Sequence, residues 1–312
     1  MSSTIPPVSI IVATYNRAHL IMETLVSIQN QTFTDWECLI IDDGGSDDTE
    51  SVTNPLLNTD KRFSFHKRPS SHHKGLPGCR NYGMSMATGN YIIFFDDDDW
   101  IHPQHLSLTT SFLDTHAQYG FCQYQKQSFT TTIPNHIPSY ATLTPLFEIG
   151  EDNLSDIVRE KIGMASCTVL WRKSCLVQHF NEALQYAEEW EFYTRILSTG
   201  VCGMVVNEVL YYNRKHDSSN TGEFWNGNPI RVDAKMQAAL CIIQTLQAKN
   251  LLDAQTRNYL LNILIKNRGY HYFQSALYYS NYNLLQKWRA QLYYFCFPLI
   301  FIFYKTYHRH AS

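Results

Sequence analysis

The chain lacks any Cys-x-x-Cys pair, any GxxxxGK[ST] loop and any GxGxxG turn behind a strand. A sulfur-held metal site, a P-loop and a dinucleotide fingerprint are therefore excluded. It also lacks an excess of positive charge: 25 Lys and Arg stand against 28 Asp and Glu, a formal net charge of -3. No global field draws it to a phosphate backbone, and a nucleic-acid partner is not expected. Met1 to Ser9 lacks a charged stretch followed by an apolar core, so no secretory signal is read there. Eight cysteines are scattered along the 312 residues, a pattern of reduced thiols, and the expected compartment is the cytoplasm. There is no internal repeat and no low-complexity tract.

What the chain does have is apolar material in globular proportion, 44% hydrophobic against 17% charged residues. That is enough to bury one large core or two closely packed ones. Val8 to Ala13 is a β-branched run that predicts a buried strand, and Leu20, Leu25 and Ile28 behind it recur near helical spacing. Cys38 to Ile41 predicts a second strand, ending in Asp42-Asp43-Gly44-Gly45-Ser46-Asp47, and Ser64 to His66 a weaker third. Gly78 to Ala87 reads as a helix, and Tyr91 to Phe95 as a strand that stops at Asp96-Asp97-Asp98-Asp99. The alternation predicts an α/β fold with a parallel, buried sheet.

From Trp100 to Asn220 the pattern loosens, with strands around Cys167 to Trp171 and Val205 to Tyr212 and a helix around Glu188 to Leu197. Beyond Gly222 it turns helical: Val232, Met236, Ala239, Leu240 and Ile243 share one stripe, and Leu260, Ile263 and Leu264 another. This predicts an appended helical segment. Leu292 to Tyr304 is almost wholly aromatic or aliphatic, flanked by Lys287, Arg289, Lys305 and Arg309 and interrupted by Pro298. A bilayer-spanning helix needs about 20 apolar residues, so the run predicts either a segment lying in the membrane interface or a final helix packed on the body.

Ligands of open α/β sheets bind beyond the carboxyl ends of the strands, which here carry Thr14-Tyr15-Asn16, Asp42-Asp43 and the Asp96 to Asp99 run. Four adjacent carboxylates repel one another and need solvent or a cation. Magnesium and manganese prefer oxygen ligands and are commonly held by one or two carboxylates plus a substrate's phosphates, so the run points to a divalent ion and a phosphate-bearing substrate. Asp42 and Asp43 are placed to accept hydrogen bonds from a base or ribose. Tyr15 can stack on a base, and Arg17 and Arg80 can neutralise phosphate charge.

Several of these segments occur together in one known family. Val8-Ser9-Ile10-Ile11-Val12-Ala13-Thr14-Tyr15-Asn16-Arg17, Gln31-Thr32-Phe33-Thr34-Asp35-Trp36-Glu37, Ile41-Asp42-Asp43-Gly44, Cys79-Arg80-Asn81-Tyr82-Gly83 and Gly89-Asn90-Tyr91 before the Asp run resemble, in order and spacing, family 2 glycosyltransferases of the GT-A fold. The resemblance covers roughly residues 6 to 220. It implies a Rossmann-like nucleotide-binding mixed sheet flanked by helices. Residues 1–100 would form the nucleotide-sugar half, 101–221 the acceptor-binding and catalytic half, and 222–312 the C-terminal helical segment.

The resemblance further implies a UDP-sugar donor bordered by Ala13, Thr14, Tyr15, Asn16, Arg17 and Asp43, with Arg80 on the diphosphate side. Asp96 and Asp97 belong to the same donor region. Asp98 would be the first-choice ligand of Mn2+ or Mg2+, with Asp96, although Asp97 to Asp99 also satisfies D-x-D. His216 falls where the family often has an Arg-x-His segment near the diphosphate. Ala187-Glu188-Glu189-Trp190-Glu191-Phe192-Tyr193-Thr194-Arg195 resembles the family's Glu-Asp motif, so Glu189 stands in the place of the catalytic aspartate, one methylene longer. Glu188, Glu191 and Arg195 instead suit a structural ion-pair role.

The implied reaction is a single in-line displacement with inversion, moving a sugar to a hydroxyl of a glycan or lipid-linked acceptor in cell-surface polysaccharide assembly. The protein would then sit at the inner face of the cell membrane, in contact with it through 292–304. A nucleotidyltransferase is disfavoured because Thr14 to Leu20 is not a basic, Gly-rich phosphate loop. The remaining rival is a catalytically weak scaffold that binds a nucleotide-sugar without turning it over.

Overall fold

The structure is a computed structural model and describes residues 7–134, 136–215 and 220–309, with side chains described to residue 297 apart from Asn220. His216 lies outside the described residues. The first half is a β-α repeat: β1 (Val8–Thr14), α1 (Ile21–Gln29), β2 (Trp36–Asp42), α2 (Thr49–Thr59), β3 (Phe63–Lys67), α3 (Leu76–Met86), β4 (Tyr91–Asp96). There follow β5 (Trp100–Ile101), α4 (His105–Thr115), β6 (Phe121–Phe129), β7 (Pro145–Ile149), α5 (Leu154–Val158), β8 (Val169–Arg172), α6 (Glu188–Leu197) and β9 (Gly203–Arg214). The rest is helical: α7 (Asn220–Trp225), α8 (Pro229–Ala248), α9 (Ala254–Lys266), α10 (Tyr270–Tyr279) and α11 (Leu284–Arg309).

Among the described residues the strands form one sheet of nine, in the order β3-β2-β1-β4-β8-β6-β9-β5 with β7 on β9. The first four are parallel, as the sequence pattern requires. Beyond β4 the sheet is mixed, because β8 runs antiparallel to both β4 and β6. The strand expected from Cys167 begins instead at Val169, since Ser166–Thr168 is wound into a short 3-10 turn.

The period-2 alternation of β1 divides the core. Ile10 and Val12 join the cluster containing Ile21, Leu25 and Ile28 of α1, whereas Ile11 joins the cluster on the opposite face. There α3 packs so closely that a Cβ on Gly83 would lie 2.5 Å from Cγ2 of Ile11, which is why this position is glycine. Ile242, Ile243 and Leu246 of α8, Leu260 and Leu264 of α9 and Phe273 of α10 enter this same cluster. The helical segment thus shares the core of the sheet. In α11, Tyr294 is buried and stacked on Phe273 at 4.7 Å, while Leu292, Tyr293 and Phe295 are exposed.

Strand register brings the polar ends into one line. Thr14 pairs with Asp42, Ala13 with Asp96, and Asp42 with Lys67. Everything carried just past these positions emerges at the same edge.

Candidate active site

The loop after β1 is fixed by its own polar side chains. Asn16 adopts a left-handed backbone (φ 55), which asparagine tolerates, and its Oδ1 accepts from Ser46 N at 2.7 Å and Asp47 N at 3.3 Å. Tyr15 is left 45% exposed, with Lys74 Nζ 4.4 Å from its ring centre. Ala13 is half-buried and Thr14 buried, both at the end of β1.

Asp43, one residue past β2, is the hub of the neighbouring loops. Arg68 Nε donates to its Oδ1 at 2.6 Å, and Gly75 N donates to its Oδ2 at 3.0 Å. Gly75 has φ 124, which only glycine adopts without strain, so the amide can turn towards the carboxylate. Arg68 also donates to the carbonyls of Pro69 and His72. Behind it His72 Nδ1 lies 2.6 Å from Glu182 Oε1, and Asn81 Nδ2 donates to the same oxygen at 2.8 Å. Arg68 and Gly75 were not singled out from the sequence, yet Arg68 sits one residue past β3, the same kind of strand-end position that marked Asp43 and Asp96.

The acidic run folds back on itself. β4 ends at Asp96, residues 97 and 98 form a turn, and β5 begins at Trp100. In a four-residue turn the first and last residues are brought together. Carboxylate oxygens of Asp96 and Asp99 accordingly lie, with the Cys167 sulfur, within 4.8 Å of one another. The Asp98 Oδ2 lies 3.9 Å from Arg17 Nη2, and Arg17 Nε is 3.3 Å from Asp97 Oδ1. Among the described residues the turn thus brings together Asp96 and Asp99, a pair three apart in sequence rather than at D-x-D spacing. Asp99 is further held by the Arg214 amide at 2.7 Å.

Burial pushes the Asp97 carboxyl up to about 7 and that of Asp99 to about 8, the latter helped by Asp96 and Asp98. Asp96, whose side chain is 41% exposed, is raised from its ordinary value by crowding in the cluster, with Glu189 and Asp98 adding to it against the pull of Arg80. Oxygen donors whose anions the folded chain disfavours fit a divalent cation, which would supply the missing charge. The buried Cys167 thiol is raised far above its usual range and does not suit that role.

Arg80 joins the two halves of the site. It is 2% exposed on α3, with Nη1 2.9 Å from Glu189 Oε1 and 3.2 Å from Glu188 Oε1, and Nη2 3.6 Å from Asp96 Oδ1. Burial opposes its charge, and the carboxylates of Glu189, Glu188 and Asp96 outweigh that cost. The expectation that Arg80 faces phosphate is therefore modified: its guanidinium is engaged by carboxylates from β4 and from the first turn of α6. Glu189 Oε2 also accepts from Ser166 N at 3.1 Å, so both oxygens are oriented. Burial and Glu189 raise Glu188 to about 7. Arg195 pairs with Glu191 at 2.5 Å, while Glu188 turns to Arg80 instead.

Polar strand ends, an acidic turn and a carboxylate at the start of α6 thus meet at one edge of a sheet of the GT-A type. Residues 9–175, more than half of the chain, match the model of Glycosyl transferase family 2, and the chain belongs to that family. Among its relatives, the GalNAc(5)-diNAcBac-PP-undecaprenol beta-1,3-glucosyltransferase of Campylobacter jejuni is 40% identical over 94 residues, 30% of each chain. The glucosyltransferase WfaP of Escherichia coli, named as acting from UDP-Glc on alpha-D-GlcNAc-diphosphoundecaprenol, is 28% identical over 212 residues, 68% of this chain and 78% of that one. The putative glycosyltransferase EpsH of Bacillus subtilis is 28% identical over 221 residues. The match spans less than two thirds of some of these relatives, 30% of the Campylobacter enzyme and 62% of EpsH. Among solved structures, Staphylococcus aureus TarS 1-349 in complex with UDP aligns with a TM-score of 0.61 at 19% identity, covering 90% of this chain and 76% of that one. Mannosyltransferase PcManGT from Pyrobaculum calidifontis, in complex with GDP-Man and Mn2+, gives 0.55 at 16% identity, over 98% and 84%. At such identities the likeness is one of fold.

Proposed function

We propose that the chain is an inverting glycosyltransferase that moves a hexose from a nucleoside-diphosphate sugar, UDP-linked by preference, to a hydroxyl of a glycan or lipid-linked acceptor in surface polysaccharide synthesis. The observation that carries this reading is the meeting of Asp96 and Glu189 on Arg80, which sets a metal-type carboxylate beside a carboxylate able to take a proton. Relatives named for UDP-Glc and undecaprenol-linked acceptors support the substrate class.

In this reading Tyr15 and Asp43 border the nucleotide base, with Asn16 shaping their loop and Arg68 holding the Asp43 carboxylate. Arg17 and the acidic turn at Asp96, Asp97, Asp98 and Asp99 form the diphosphate side. Asp96 with Asp99 or Asp98 would hold Mn2+ or Mg2+, whose charge would stabilise the leaving nucleoside diphosphate. Glu189, oriented by Ser166 N and Arg80, takes the acceptor proton. A peripheral position on the inner face of the cell membrane, reached through 292–304, completes the reading.

The second reading, a weakly catalytic nucleotide-sugar scaffold, is favoured by one observation: both oxygens of Glu189 are already engaged. Calorimetric titration of UDP and GDP, with and without Mn2+, on wild type, Asp96→Ala and Asp98→Ala tests the donor site. Metal-dependent UDP binding that is lost in Asp96→Ala is the expected result, and no nucleotide binding by folded protein would overturn the transferase. Transfer from UDP-glucose to a diphosphoundecaprenol-linked sugar then separates enzyme from scaffold.

A further inference from the structure

Every one of the 28 acidic residues precedes Ala254. Residues 254–312 carry seven Lys and Arg and no Asp or Glu, whereas the preceding part has 18 Lys and Arg against all 28 acids. A chain with a formal charge of -3 is therefore divided into an acidic body and a wholly cationic end.

The cationic end also exposes apolar side chains in a pattern. α11 seats on α10 through Tyr294, which stacks on Phe273 and whose carbonyl accepts from Arg268 Nη1 at 3.1 Å. Leu284, Trp288, Leu292 and Phe295 all stay exposed. Their spacing of four, four and three places them on one stripe of a 3.6-residue helix. Lys287 and Arg289 lie on either side of Trp288, at the two margins of that stripe. Tyr278 of α10 is 75% exposed. Among the described residues no helix is long and apolar enough to cross a membrane. An aromatic stripe edged by basic residues suits a helix lying in the plane of a headgroup layer, its cationic side chains reaching phosphates while the rings enter the acyl boundary.

We propose that the α10–α11 face is a docking surface for an anionic lipid bilayer. It deepens the reading of membrane contact given above by moving that contact upstream into the body of the protein and by naming the charge of the lipid. The absence of any carboxylate in this part of the chain is the observation that favours an anionic surface over a neutral bilayer or a second copy of the chain.

The test is co-sedimentation of the full chain with phosphatidylglycerol vesicles and with phosphatidylcholine vesicles, without donor or acceptor, so that it is decided independently of any transfer activity. Binding to phosphatidylglycerol at least about tenfold stronger than to phosphatidylcholine, and falling as salt shortens the Debye length, is expected. Lys287→Glu with Arg289→Glu, and separately Trp288→Ser with Leu292→Ser, should each reduce it about tenfold with an unchanged circular-dichroism melt. No binding to phosphatidylglycerol, equal binding to both lipids, or binding untouched by both double variants would overturn the proposal. So would a dimer in sedimentation equilibrium that dissociates on Trp288→Ser, since a second copy would then be the occupant.

Discussion

Arg80 Nη1 lies 2.9 Å from Oε1 of Glu189, a contact that ties α3 to the first turn of α6. The side chain of Arg80 is 3% exposed and that of Glu189 25%, so the pair has a dry end and a wet end. Removing the dry partner and removing the wet partner should have different consequences.

Arg80→Met is expected to destabilise the fold by about 3–5 kcal/mol, because it strands the buried Glu188 carboxylate without its cation. Arg80→Lys should recover only part of this, since a point charge cannot fork to three carboxylates. Urea unfolding of both variants checks it, and a midpoint for Arg80→Met equal to wild type would show that the cluster does not need its cation.

Glu189→Gln keeps an acceptor for Ser166 N and loses the basic oxygen. Turnover should fall about 100- to 10,000-fold, with UDP binding unchanged. A variant that transfers sugar at the wild-type rate would remove Glu189 from the chemistry.

Asp43→Asn should weaken UDP binding about tenfold or more, because Arg68 and Gly75 lose a charged acceptor and the loop they anchor loosens. Arg68→Met should produce a similar loss. The two effects are expected to be non-additive by about 1 kcal/mol or more in a double-mutant cycle, as contacting residues are. Additive losses would mean that the two residues act on the nucleotide separately.

His105 is fully buried, its ring packed edge-on to Phe95 and Tyr124, and neither ring nitrogen has a hydrogen-bond partner among the described residues. Burial lowers its pKa from 6.5 to about 3, with His102 adding a little. The unfolded chain therefore binds a proton that the folded chain refuses. Stability contributed here is complete above about pH 6.5 and is lost as pH falls towards 3, by about 2 kcal/mol at pH 5. His105→Leu should flatten that part of the profile in thermal melts between pH 8 and pH 5.

The first hundred residues were legible because their signals are local. The β-branched run of β1, the apolar runs of β2 and β4 and the carboxylates behind them occur within single segments, and the parallel register that aligns Thr14, Asp42 and Asp96 follows from alternating strand and helix. The helix beginning at Glu188 was legible for the same reason. The antiparallel insertion of β8 was not, since a four-residue strand carries no sign of its partner's direction. Nor was the engagement of Arg80 by Glu188 and Glu189, which are remote from it in sequence.

The sequence by itself determined the kind of site: carboxylates and polar groups at strand ends, a carboxylate pair opening a helix, and an apolar base-flanked end. Only the tertiary structure decided which of those groups meet. The turn at 97–98 brings Asp96 to Asp99 and leaves Asp98 beside Arg17, and the reach of Arg80 from α3 to the first turn of α6 commits a buried guanidinium to three carboxylates. The reason is physical. Residue type and period specify which groups must be buried or solvated, but Coulomb and hydrogen-bond energies fall steeply with distance, and distances between remote segments are set by how their helices and strands pack.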